Sequence, residues 1–554
     1  MILSATIGLA ILAGISTADP SIENPSFEAL DHHGAPAGWV LVAWGRDGLK
    51  AARVCEVVEA QDAPNGHRVA RIAPDAAQYD AIAQTLKGLV PGRWYEVSCR
   101  IRCRDLQGQG CFLNLEYWSN GIGYGCVDSE HLVGTVGWTR AAVRFQAPGP
   151  SFTCNLSCWQ IGGPGECWFD DLRLREAAQP HPDLGSRRIL DGPFWGMFTC
   201  YANYLHQYGK DMQAAGVHWQ RQGGSATAPE QQAVAASLGM AYEMCLDGMP
   251  SPAAKDDPCY PVTSSSAYLD YLRGYLDKAG PTIRAWEVFN EPNNNLAWTL
   301  PAYANLLKLA GSAIKERRPD AIFATGGFAV PEVGYLRALL RRGAGDVLDL
   351  ALLHPYAVDE ALDSALFAVT DALSAGGRPD MAVAINETGW ATWDPATGCE
   401  SRNMFVSEAE QARNVVKLHI QALAHHLSFV TYLGWNDFTE QSDYSRNMGL
   451  IRVDGTPKPS WRAYRFMTAT VGGRKVADWS YAGEGTRIYK LTGDPPVWIV
   501  WNALRDTEAK VDIGETAVFP CDLYGAKLAP TPQKGKVSVH VTTEPAYLVP
   551  AGSG

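Results

Sequence analysis

The sequence has little charge for its length, no run of Lys or Arg, and a single apolar stretch of the kind that invites a membrane reading. Each shortage removes a class of function. Charged residues make up 19% of the chain, and 47 basic residues are outnumbered by 59 acidic ones. With that sign and no basic cluster, DNA, RNA and heparin-like polyanions are excluded as partners. A hydrophobic share of 46% excludes a disordered chain. Nucleotide chemistry has no phosphate loop to rest on, and neither a Ser-His-Asp set nor a zinc-ligand spacing stands out. No repeat or low-complexity tract is present. Aromatics are abundant: 18 Trp and 22 Tyr supply flat apolar rings with a polar edge, which suit sugar rings.

The apolar stretch, Ile2 to Ile15, is too short to span a bilayer comfortably, and Ser16-Thr17-Ala18 offers small residues for cleavage. Residues 1–18 therefore read as a signal peptide, with no Lys or Arg before the apolar run. The mature protein is expected to be secreted or periplasmic, with no membrane partner. Eight cysteines, Cys55, Cys99, Cys103, Cys111, Cys126, Cys154, Cys158 and Cys167, crowd one segment. An oxidising compartment predicts disulfides among them.

Residues 19–178 are rich in short β-forming runs, such as Arg93-Trp94-Tyr95-Glu96-Val97-Ser98 and Ala141-Ala142-Val143-Arg144-Phe145, punctuated by Pro and Gly. That rhythm predicts a β-sandwich. A Pro-rich linker follows, and over residues 188–468 apolar strand-like runs alternate with amphipathic helices. Eight candidate strands are Phe194–Phe198, Val217–Trp219, Met240–Met244, Ile283–Phe289, Ala321–Ala324, Val347–Leu353, Met381–Ile385 and Phe429–Leu433. Ser407 with Glu410 forms a capping box for a helix running to about His425. The whole suits a (β/α)8 TIM barrel. Strand signals return over residues 469–554, which predict a small C-terminal β domain.

Three motifs in the front segment, taken in order, resemble a jelly-roll carbohydrate-binding module. They are Asn24-Pro25-Ser26-Phe27-Glu28, Gly38-Trp39 and the closing Trp168-Phe169-Asp170-Asp171-Leu172. The resemblance implies that Glu28 and Asp171 lie close together and could hold a structural calcium. It also implies a domain that adds polysaccharide affinity without taking part in chemistry.

In a barrel of this type function sits at the C-terminal ends of the strands. Strand four ends at Asn290-Glu291-Pro292, strand six at His354-Pro355-Tyr356, strand seven at Asn386-Glu387-Thr388-Gly389-Trp390 and strand eight at Gly434-Trp435-Asn436-Asp437. A carboxylate directly after an apolar strand is poorly solvated and costs stability unless paired. Two of them, on strands four and seven, would face each other across the barrel mouth. That arrangement suits cleavage of an acetal, in which one carboxylate attacks and the other protonates the leaving oxygen.

Asn290-Glu291-Pro292 at the end of strand four, with Glu387 on strand seven, resembles glycoside hydrolase clan A, the retaining (β/α)8 glycosidases, and within it family 39. The resemblance implies roles for single residues. Glu291 is the acid/base and Glu387 the nucleophile. Asn290 binds the sugar 2-hydroxyl, and Tyr356 or His354 hydrogen-bonds the nucleophile or the sugar. Trp435 stacks under the sugar, and Arg221 supports the nucleophile electrostatically. Glu291 is expected to have the higher pKa of the two, held up by the negative charge nearby. The implied activity is hydrolysis of β-glycosidic bonds in an oligo- or polysaccharide, with no cofactor and no catalytic metal. A transglycosylase of the same fold and a non-catalytic carbohydrate-binding protein are the alternatives. Trp390 and Trp393 read as loop residues, and His425-His426 as a solvated helix cap.

Overall fold

The computed structural model describes residues 20–43, 54–73, 79–119, 122–180, 184–198, 204–330, 332–392, 405–438, 447–482 and 485–551. The signal-peptide segment and Trp393 lie outside the described residues. Among those described, no helix is long and apolar enough to cross a membrane.

Eight parallel strands close into a barrel. They are β1 (Trp195–Phe198), β2 (Trp219–Gln222), β3 (Ala241–Leu246), β4 (Ile283–Val288), β5 (Ile322–Ala324), β6 (Leu350–His354), β7 (Ala382–Ile385) and β8 (Val430–Leu433). Each pairs with the next, and β8 pairs with β1. A helix follows every strand: α1 (Tyr204–Ala214), α2 (Pro229–Ser237), α3 (Ser265–Leu276), α4 (Leu300–Arg317), α5 (Val333–Arg341), α6 (Asp359–Ala375), α7 (Glu408–Ala424) and α8 (Pro459–Val471). Strands such as β6, β7 and β8 are mainly apolar and buried because helices cover the sheet on its outer side. Ser407 caps α7 as its sequence predicts, accepting from the Glu410 amide at 3.1 Å.

The front domain is an antiparallel sandwich organised by one strand, Trp94–Ser119. Register shifts between Ile101 and Cys111 bend it, with Asp105, Gly108 and Gly110 at positive φ. Its first half pairs with Leu132–Gln146 and Glu166–Glu176. Its second half pairs with Thr153–Ile161 and Ile122–Asp128. The disulfides expected here are not formed: every described cysteine is a buried free thiol. Most fill the space between strands as small apolar residues. Burial pushes thiols such as Cys99 and Cys158 well up, which keeps them protonated and inert.

Glu28 accepts from the amides of His67 and Arg68 at 2.7 and 2.8 Å, and Asp171 takes two bonds from Arg173 at 3.0 and 3.1 Å. The buried carboxyl of this corner is the neighbouring Asp170, pushed up to about 6 by burial.

The C-terminal domain joins a five-stranded antiparallel sheet to a two-stranded one across an apolar core. All three domains meet on α6. Arg487 of the C-terminal domain is buried against Asp363 and lies 3.2 Å from Glu360. Trp501 Nε1 donates to Asp359 at 2.7 Å. From the sandwich, Tyr117 donates to Ser364 Oγ at 2.8 Å. His425 is buried rather than a solvated cap, with Nε2 3.3 Å from Asp363. The chain leaves α7 there and turns inward beneath the C-terminal sheet, where Trp479 stands beside the imidazole.

Candidate active site

The barrel mouth is built around one guanidinium. Arg221 leaves the end of β2 and is almost fully buried. Its Nε and Nη2 donate to Glu287 at 2.8 and 2.9 Å, and its Nη1 donates to Glu387 at 2.7 Å. Nη2 also reaches Asn290 Oδ1 at 2.7 Å, and the Phe198 ring lies 4.6 Å from the guanidinium carbon. A buried cation is tolerated only when its charge and its N–H groups are matched, and here they are.

Two of its neighbours were not singled out from the sequence. Glu287 and Glu243 both sit inside apolar strands and are completely buried. Burial pushes Glu287 up, but the Arg221 charge and bonds outweigh it and hold the carboxyl at about 2. Burial and the adjacent Glu287 charge push Glu243 well above the usual range, so it is a neutral acid. Asn386 Nδ2 donates to Glu243 at 3.0 Å. The signal for this pair was a glutamate at mid-strand, between residues that all belong in a core.

Glu387 projects from the end of β7. Besides Arg221 it accepts from the Tyr356 hydroxyl at 2.6 Å. Glu291 projects from the end of β4 through a strained turn: Phe289 has φ +71° and Glu291 φ +48°. His354 Nδ1 lies 3.0 Å from Glu291 Oε1, and Asn294 Nδ2 donates to Oε2 at 3.2 Å. Burial raises the Glu291 pKa, yet the His354 bond and charge, Asn294 and Arg221 more than offset this, leaving it below the ordinary value. The expected elevation by neighbouring negative charge is therefore reversed, because an imidazole stands between the two carboxylates.

His354 is held from behind by Gly327. A Cβ there would fall 1.9 Å from His354 Nε2 and 2.6 Å from Asn386 Oδ1. The same glycine donates its amide to Glu287 at 2.9 Å, and its carbonyl accepts from the Glu291 amide at 3.1 Å. Trp435 is not a platform in this structure. It is fully buried, with its ring 5.1 Å from that of Trp461 at a steep angle, and offers no face to a ligand. Trp390 is likewise buried.

One ligand atom each from Glu291, His354 and Glu387 lies within 4.8 Å of the others, a spacing that also suits a metal ion. Arg221, bonded to Glu387, already brings a positive charge to the place a cation would fill.

The chain shares its fold with a solved glycosidase. That structure is a family 39 glycoside hydrolase from the gut symbiont Bacteroides cellulosilyticus WH2. The match has a TM-score of 0.53 at 15% identity, covering 86% of this chain and 98% of that one. A monomeric beta-xylosidase from Caulobacter crescentus CB15 gives 0.45 at 14% identity, covering 66% of this chain and 98% of that one. At these identities the likeness is one of fold, and it rests on the first of the two. No family model matches the chain, and no curated protein matches it in sequence.

Proposed function

We propose that the protein is a retaining glycoside hydrolase that cleaves β-glycosidic bonds of an oligo- or polysaccharide by double displacement. One observation carries this reading: carboxylates from the ends of β4 and β7 approach within 4.8 Å across the barrel mouth. Retaining enzymes need about 5 Å, whereas inverting ones leave room for a water between the groups.

Glu387 is the nucleophile. Arg221 and the Tyr356 hydroxyl both donate to its carboxylate and fix its direction. Glu291 gives a proton to the leaving oxygen, then takes one from the water that cleaves the glycosyl-Glu387 ester. Asn290 spends its Oδ1 on Arg221, which leaves its NH2 group to donate to the sugar 2-hydroxyl. Two carboxyl groups and a water complete the reaction, so its chemistry calls for no cofactor. A panel of 4-nitrophenyl β-glycosides, followed by NMR of the first-formed anomer, tests the reading. Release of nitrophenol with retention is expected. An inverted product, or no cleavage of any aryl glycoside or polysaccharide, would overturn it.

The pH profile should expose the His354 contact. The alkaline limb of kcat/KM reports loss of the proton on Glu291. His354 holds that pKa down, so His354→Gln should raise it and carry the limb to higher pH. A limb that stayed in place, or moved to lower pH, would assign it to another group.

A further inference from the structure

The loop that follows Glu291 belongs as much to the sandwich as to the barrel. The Tyr79 hydroxyl donates to the Asn294 carbonyl at 3.3 Å, and Gln109 Nε2 to the Asn295 carbonyl at 3.0 Å. Leu296 packs with Tyr79 into a cluster formed by Ala81, Phe112, Trp159 and Ile161 on one sandwich face. On the barrel side, Asn293 Nδ2 donates to the Ala329 carbonyl at 2.8 Å and to Glu332 at 3.0 Å. Asn294, held between the two, is the residue that donates to Glu291. Tyr79 therefore stands one residue away from the acid/base and stays half-buried.

In the proposed mechanism Glu291 protonates the leaving oxygen, so the leaving group lies on the Glu291 side of the bond. From this geometry we infer that the sandwich face around Tyr79 is the wall of the first leaving-group subsite, and that Tyr79 contacts the sugar bound there. This rests on the hydrolase reading above. The ring supplies an apolar platform and its hydroxyl a polar edge. Burial, with the charges of Glu332 and Glu291, pushes the Tyr79 hydroxyl up to about 12, so it remains a donor at any working pH. Such a wall suits the ring of a neutral sugar.

The subsite is tested through the second half-reaction. The 2-deoxy-2-fluoro glycosyl fluoride of the sugar selected by the aryl glycoside panel should trap Glu387 as a stable ester. An acceptor hydroxyl then attacks the anomeric carbon, the Glu387 ester bond breaks, and the acceptor proton passes to Glu291. Methyl β-glycosides of glucose, galactose and xylose serve as acceptors. At least one of them should speed release saturably. Tyr79→Ala should raise the half-saturating acceptor concentration about tenfold. Tyr79→Phe, which keeps the ring and the packing, should raise it less and carries the test if the alanine variant fails to fold. Two results overturn the inference: no acceptor speeding release, or Tyr79 variants that slow release by water as much as release by acceptor. The last would make Tyr79 a support for Glu291 alone. Failure to trap Glu387 at all would instead defeat the hydrolase reading.

Discussion

Glu387→Gly should abolish turnover on every substrate, a loss of several powers of ten, while leaving the barrel folded. The substitution removes the attacking oxygen and nothing else in the mechanism replaces it. It also vacates a space beside Arg221, whose Nη1 points at the missing carboxylate. Azide can enter that space, attack the anomeric carbon from the vacated side and give a glycosyl azide of inverted configuration. Glu291→Ala should behave differently. Its loss should be roughly a hundred- to ten-thousandfold where the leaving group is a sugar that needs a proton. It should be far smaller for 2,4-dinitrophenolate, which leaves unaided. Azide would then resolve the accumulated glycosyl-enzyme with retained configuration. A retained azide from Glu387→Gly, or near-normal hydrolysis of an oligosaccharide by either variant, would mean that the roles are misassigned.

The barrel was legible because its signals are local. Each strand is a short run that buries both faces, such as Val383 to Ile385, and each helix carries its own period and often its own cap, as at Ser407. Glu291 and Glu387 were legible for the same reason: a carboxylate after an apolar run marks a strand end in one short stretch. The inner layer of the site was not. Glu243 and Glu287 read as single polar residues within strands, and only the fold brings them within reach of Arg221. The position of His354 between the two carboxylates was equally hidden, and it reverses the expected shift at Glu291. Trp435 misled because an aromatic at a strand end has two fates, platform or packing, and a residue 26 positions later, Trp461, decides between them. The cysteines misled through compartment: buried between strands, they serve as small apolar residues whatever the redox potential outside. A sandwich expected only to add affinity instead grips the loop beside the acid/base, and no motif in Tyr79 or Gln109 announces it.

The network on α6 is the least legible feature and carries the largest stability effect. Asp363 lies in the second turn of α6. It is completely buried and accepts from Gln421 at 2.7 Å, from Tyr481 and from Arg487. Burial raises its pKa, but Arg487 foremost, then His425 and Tyr481, hold the carboxyl well below the usual range. Arg487→Met keeps much of the side-chain volume and strands the Asp363 charge. Breaking a buried pair this way costs about 3–5 kcal/mol. The loss should appear as a lower urea midpoint, in a protein whose C-terminal sheet is also tied to α6 by the Trp501 indole bonded to Asp359 beside the network. The sign of the pH dependence follows from the depressed pKa. Asp363 contributes its stability above the unfolded carboxylate value of about 4 and loses it as pH falls through the folded value. The gap between wild type and Arg487→Met should therefore be widest near neutrality and narrow in acid. Asp363→Asn, which removes the charge from the other partner, should also destabilise, because it takes away the carboxylate bonded to Arg487 and leaves it the more distant Glu360 and Asp359. A midpoint shift worth less than about 1 kcal/mol for Arg487→Met would show that the pair does no more than an exposed ion pair does. The C-terminal domain would then be held to the barrel by its apolar contacts alone.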